Sequence, residues 1–89
     1  LSITLAKASA TSIKVSWGGV AGATRYAIYR TSSATGTYTF VYSAPSTARY
    51  WINTGLTAGK TYYYKVRVYH LEGTTKVFSK YSTIKSLAL

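Results

Sequence analysis

Apolar and polar positions alternate with a period of two along most of this chain. The clearest run is Tyr62-Tyr-Tyr-Lys-Val-Arg-Val68. Tyr62, Tyr64, Val66 and Val68 fall on one face, and Tyr63, Lys65, Arg67 and Tyr69 on the other. Such alternation, rich in aromatic and β-branched residues, predicts a half-buried strand over residues 60–70. Weaker alternation of Ile3 and Leu5 predicts a first strand over residues 3–7. In a second, Ile13, Val15 and Trp17 alternate with Ser12, Lys14 and Ser16. Residues 25–31 form a third, with Tyr26 and Ile28 inward and Ala27 and Tyr29 outward. Arg30 takes the inward phase at the strand end, where its stem can line apolar surface while its head reaches water. A fourth strand is expected over residues 37–42, where Tyr38 and Val41 both point inward only across a bulge. A fifth over residues 49–53 turns Trp51 inward. A seventh runs from Val77 to Leu87, with a break expected near Ser79-Lys80.

Turn formers separate these runs. Pro45, the only proline, is expected between the fourth and fifth strands, where a missing amide donor does least harm. Seven strands at short spacing, with no helical period, predict an all-β, two-sheet sandwich. Its expected core is Trp17, Tyr26, Ile28, Trp51, Leu56, Tyr62, Tyr64, Val66 and Val68. One local feature narrows the class. Leu56 precedes the turn at Ala58-Gly59, and Tyr62 opens the next strand. That order matches the tyrosine corner of immunoglobulin-like sandwiches, in which a buried phenol bonds backbone a few residues upstream. The expected partner is backbone near Thr57 or Ala58.

With the strands placed, nearly the whole chain resembles a fibronectin type III domain. Trp17 closes the second strand, Tyr26-Ala-Ile-Tyr-Arg30 follows the third-strand pattern, and Leu56-x-Ala58-Gly59-x-x-Tyr62 matches the family's Leu-x-Pro-Gly-x-x-Tyr with alanine for proline. True immunoglobulin domains place a cysteine two residues after the corner tyrosine, and here that position is Tyr64. The implied fold is a seven-stranded, two-sheet immunoglobulin-like sandwich of fibronectin type III topology. Gly36-Thr-Tyr38, Gly59-Lys-Thr-Tyr-Tyr-Tyr-Lys-Val-Arg67 and Ser79-Lys-Tyr-Ser82 also resemble modules of Gram-positive surface and secreted proteins. That likeness implies an extracellular or cell-surface module beside other domains of one chain. The Arg-Gly-Asp of some animal members is absent.

The totals sharpen the functional reading. The 89 residues make one domain, and the start at Leu1 without any methionine is expected of a segment from a longer polypeptide. No cysteine is present, so neither disulfides nor thiolate metal sites are available. No apolar run reaches the roughly 18 residues of a membrane helix. Eleven Lys and Arg face a single acid, Glu72, for a formal charge of +10. Such a field favours polyanions, but the cations recur singly from Lys7 to Lys85 rather than in a cluster. His70 and Glu72 are the only candidates for acid–base work, short of a nucleophile, base and orienter and short of a metal's ligand set. No catalytic residue, metal or cofactor is expected. The expected job is a spacer between domains. The alternative is weak binding of anionic cell-wall polymer or other polysaccharide through the outward face of Tyr29, Tyr63, Lys65, Arg67 and Tyr69. Nucleic acid is disfavoured, since no basic groove set with stacking aromatics is legible.

Overall fold

A computed structural model describes residues 1–89. It contains eight strands and no helix: β1 (Ile3–Ser9), β2 (Ser12–Trp17), β3 (Arg25–Thr31), β4 (Thr39–Pro45), β5 (Tyr50–Asn53), β6 (Thr61–Glu72), β7 (Thr75–Phe78) and β8 (Lys85–Ala88). They form two antiparallel sheets. One has the order β1-β2-β5, and the other runs β4-β3-β6, with β7 and β8 both on the far side of β6.

Alternation decides which side of each sheet is buried. Ile13, Val15 and Trp17 of β2 face Tyr26 and Ile28 of β3 and Tyr62, Tyr64, Val66 and Val68 of β6 in one cluster. Ile3, Ala44 and Leu56 complete it. Eight of the nine expected core residues are buried there. The ninth, Trp51, packs against the rim of the cluster and lies flat on Tyr42, with ring centroids 4.7 Å apart and planes 1° apart. It is only half-buried because β5 is a short edge strand that the opposite sheet covers incompletely.

Three strand expectations shift. The expected seventh strand is two pieces, β7 and β8, because residues 79–84 leave the ladder at the predicted break. The gap is bridged by serines. Ser79 donates its amide to the Val68 carbonyl at 2.8 Å and accepts the Val68 amide on its Oγ at 3.0 Å. Ser82 repeats this on Val66, at 2.7 and 2.9 Å. The fourth strand starts and ends later than expected and includes Pro45, which the edge position of β4 tolerates. The bulge falls at Val41, since Ile28 pairs with Tyr42 and Tyr29 with Phe40. Val41 packs on the core, whereas Tyr38 joins the opposite face, beside Lys65.

The corner forms as its sequence suggests. Gly59 takes a φ of 83°, a backbone that side chains other than glycine's resist. The Thr57 amide then donates to the Tyr62 hydroxyl at 2.8 Å. That bond holds the phenol below its ordinary pKa, aided by the Lys60 and Arg30 charges and opposed by burial. Arg30 anchors only part of its head and leaves the rest open. Its Nη1 donates to Asn53 Oδ1 at 2.8 Å, the oxygen that also receives the buried Tyr64 hydroxyl at 2.7 Å. Burial pushes Tyr64 up to about 12.

The pairing register also sets the two ends apart. Ile3 pairs with Trp17 at one pole. At the other, the Leu89 amide donates to Lys60 and its carbonyl accepts from Gly59. The sandwich between them measures 43 × 25 × 19 Å.

Candidate functional site

The face expected from sequence is assembled on the outward side of the larger sheet. Tyr29 lies opposite Lys65, Ala27 opposite Arg67, and Tyr63 opposite Thr31. Two cations organise it. The Arg67 guanidinium carbon is 3.9 Å from the Phe78 ring centroid, 4.6 Å from Tyr81 and 5.4 Å from Tyr29, and Nη2 donates to the Tyr29 hydroxyl at 3.1 Å. The Lys65 ammonium is 3.9 Å from the Tyr81 centroid and 4.5 Å from that of Tyr38. Tyr29 meets Phe40 and Tyr81 edge-on at 5.7 and 5.3 Å. Ring faces attract cations through their quadrupole, so with no acid nearby the charges settle on the tyrosines and phenylalanines.

Packing this close has a polar cost. Arg67 Nε and the Tyr38 hydroxyl are enclosed without hydrogen-bond partners. Burial, with Tyr63 nearby, raises the Tyr38 phenol above its ordinary range.

Tyr69 does not belong to an open face. It takes the outward phase but is buried, with the Phe78 ring 5.4 Å away and the Lys76 ammonium 4.9 Å from its own centroid. The reason is β7, which pairs Phe78 with Tyr69 across the hairpin. Ala27 is likewise outward yet buried, a small residue beneath a hollow ringed by Tyr29, Phe40, Tyr69 and Phe78. Tyr29, Tyr63, Lys65 and Arg67 are half-buried. The apolar surface open to solvent here belongs instead to Phe40, Phe78 and Tyr81, which the sequence reading did not single out. Phe78 was within reach, because the hairpin at Gly73-Thr74 implies its register with Tyr69. Phe40 depends on the bulge at Val41, and Tyr81 on the irregular link between β7 and β8, neither of which has a periodic signature.

His70 and Glu72 meet at 3.3 Å on the exposed end of β6. No other acid exists to extend the pair.

Two antiparallel sheets with this strand order and a tyrosine corner make the chain an immunoglobulin-like sandwich. Its fold is that of fibronectin type III domains. It is similar to an Fn3-like protein from Clostridium thermocellum, with a TM-score of 0.78 and 21% identity over 94% of this chain and 83% of that one. The sixth fibronectin type III domain of human fibronectin type III domain containing protein 3 superposes with a TM-score of 0.74, at 19% identity over 98% of this chain and 79% of the other. An FN3 domain of human collagen XX gives 0.60, at 19% identity over 97% and 86%. No family model matches the sequence. No curated protein matches it either.

Proposed function

We propose that this domain is a non-catalytic spacer that holds neighbouring domains of an extracellular or cell-surface protein apart. The observation that carries the reading is the opposite placement of the two ends. The chain enters beside Trp17 at one pole and leaves beside Lys60 at the other, so neighbours at the two ends are held apart by the body of a sandwich whose longest dimension is 43 Å. At the entry pole, Val20, Ala23, Leu71, Val77 and Phe78 line a cleft of about 500 Å³, an apolar surface suited to a neighbouring domain.

The test places a fluorophore-bearing domain at each end and measures the distance distribution. A flexible Gly/Ser linker of equal length has a root-mean-square span of roughly 50 Å, so the means are similar and the widths discriminate. A narrow distribution is expected. One as broad as the linker's overturns the reading.

A second reading, binding of anionic cell-wall polymer or polysaccharide, is favoured by one observation: Lys65, Arg67 and Lys76 lie among aromatic rings on the outward face with no carboxylate among them. Yet Tyr29 and Tyr81 already bear cations, which leaves them poorly available for stacking on sugars. At physiological salt the Debye length is about 8 Å, so scattered charges alone bind weakly. Titration against cell wall, chitin and heparin separates the readings. Micromolar binding that survives physiological salt and is lost in Tyr63→Ala or Tyr29→Ala establishes a site.

A further inference from the structure

A second cleft, at the exit pole, has a different chemistry. It lies between the end of β3, the approach to β4 and the start of β6, and encloses about 390 Å³. Arg30 and Lys60 bring two cations to it, and Thr31, Ser32, Thr37 and Thr39 bring hydroxyls. One wall is held by close packing. The Ser33 amide donates to Thr31 Oγ1 at 3.3 Å, and a Cβ on Gly36 would stand only 2.6 Å from that oxygen. Glycine at position 36 is what lets the loop close on Thr31.

We infer that this cleft binds a phosphate or sulfate group, dianionic when free and singly charged when carried on a polymer as a phosphodiester or sulfate ester. Arg30 is half-buried; its guanidinium donates through Nη1 to the neutral Asn53 amide oxygen and lies 5.8 Å from the Tyr62 ring centroid, and no carboxylate answers its charge. Charges withdrawn from water are ordinarily paired. Nε and Nη2 make no hydrogen bond to protein, yet neither is sealed off as Arg67 Nε is. They remain a planar pair of donors that an oxyanion can bridge. Lys60, likewise without a carboxylate, supplies a mobile second charge. Both cations help lower the Tyr62 phenol after the Thr57 hydrogen bond, so both fields reach this corner. Two positive charges and a rim of hydroxyls complement one or two negative charges and several acceptor oxygens. The inference does not depend on the spacer reading, since a spacer can carry such a site and either can fail alone.

The test is an NMR titration of the isotope-labelled domain with inorganic phosphate and with sulfate at constant ionic strength, against chloride. Saturable shifts confined to the amides of Thr31, Ser32, Thr39 and Lys60 are expected. Lys60→Gln should weaken binding about tenfold or more, whereas Lys7→Gln and Lys80→Gln, which remove the same charge elsewhere, should not. Lys60 is exposed and outside the core, so its variant keeps the fold even if Arg30→Gln loosens Asn53. Poly(glycerol phosphate) and dextran sulfate form the polymer arms. Tighter binding of one than of the free ions, still dependent on Lys60, assigns that polymer-borne group, and equal binding assigns the free ion. The inference is overturned if shifts spread over all cationic residues, if Lys7→Gln weakens binding as much as Lys60→Gln, or if oligoglutamate binds as well as phosphate and sulfate.

Discussion

Replacing Ser82 by alanine should destabilise the domain far more than the same change at Ser79. Both hydroxyls stand in for backbone. Between β7 and β8 the ladder lapses, and the amides of Val66 and Val68 have only Ser82 Oγ and Ser79 Oγ as acceptors, at 2.9 and 3.0 Å. The two sites differ in burial. Ser82 is 7% exposed and Val66 is fully buried, whereas Ser79 is exposed. Ser82→Ala therefore strands an amide that water reaches poorly, at about 1–3 kcal/mol. Loss of the bond from Ser82 Oγ to the Thr83 carbonyl at 3.2 Å adds little, because Thr83 is exposed. In a domain of this size each kcal/mol lowers the melting temperature by about 4–8 °C, so a fall on the order of 10 °C is expected. At Ser79 water can replace the hydroxyl, which limits the loss to under about 1 kcal/mol. Urea and thermal unfolding of both variants measure the difference, and hydrogen exchange at the Val66 amide should accelerate only in Ser82→Ala. Equal losses, or no loss at Ser82, would refute the view that these serines complete the sheet.

Tyr62→Phe should cost about 1 kcal/mol, the lower end of the range for a lost buried partner, because the exposed Thr57 can rehydrate; an unchanged urea midpoint would remove the corner bond from the account of stability. Tyr64, pushed up to about 12 by burial, predicts alkaline weakening. Its folded pKa lies above the unfolded value of about 10, so its contribution is intact below pH 10 and is lost as the pH rises through about 12, by up to about 3 kcal/mol. Unfolding followed across that window should show the decline and Tyr64→Phe should flatten it; a flat wild-type profile contradicts the assignment. Arg67→Ala should destabilise by about 1–2 kcal/mol and Arg67→Lys by less, since the ring contacts reward a cation and the stem fills space. Alanine and wild type melting together would show that those contacts contribute nothing.

Where period-two alternation was strong, the sequence was sufficient. β2, β3 and β6 each place one residue set inward without interruption, so the core and the sheet pairing around Tyr26, Ile28, Val66 and Val68 were legible. The corner was legible because a leucine, a glycine turn and a tyrosine stand at fixed offsets. What escaped was set by departures from the ladder. The extra residue Val41 reverses the phase of everything before it in β4, which hid Phe40 as the neighbour of Tyr29. The split between β7 and β8 puts Tyr81 over Arg67 and Lys65 through an irregular segment. Buried polar groups were missed for another reason: Asn53 and Ser82 are ordinary turn or strand-end residues until the structure shows what they bond.

The excess of cations reads differently once they are placed. From sequence, eleven basic residues against one acid suggested a field directed at a partner. In the fold, Lys14, Lys65, Arg67 and Lys76 lie over aromatic rings, and Arg25 and Arg49 donate to serine and backbone oxygens. These cations already have structural partners, and part of the tyrosine content supplies them. A sandwich built this way gains little stability from salt bridges, so its net charge is no measure of its appetite for polyanions. Arg30, held by the neutral Asn53 amide and 5.8 Å from the Tyr62 ring centroid, still has open donors beside Lys60 in a cleft rimmed by hydroxyls. That concentrates the search for an anionic ligand on the exit pole rather than on the broad outward face.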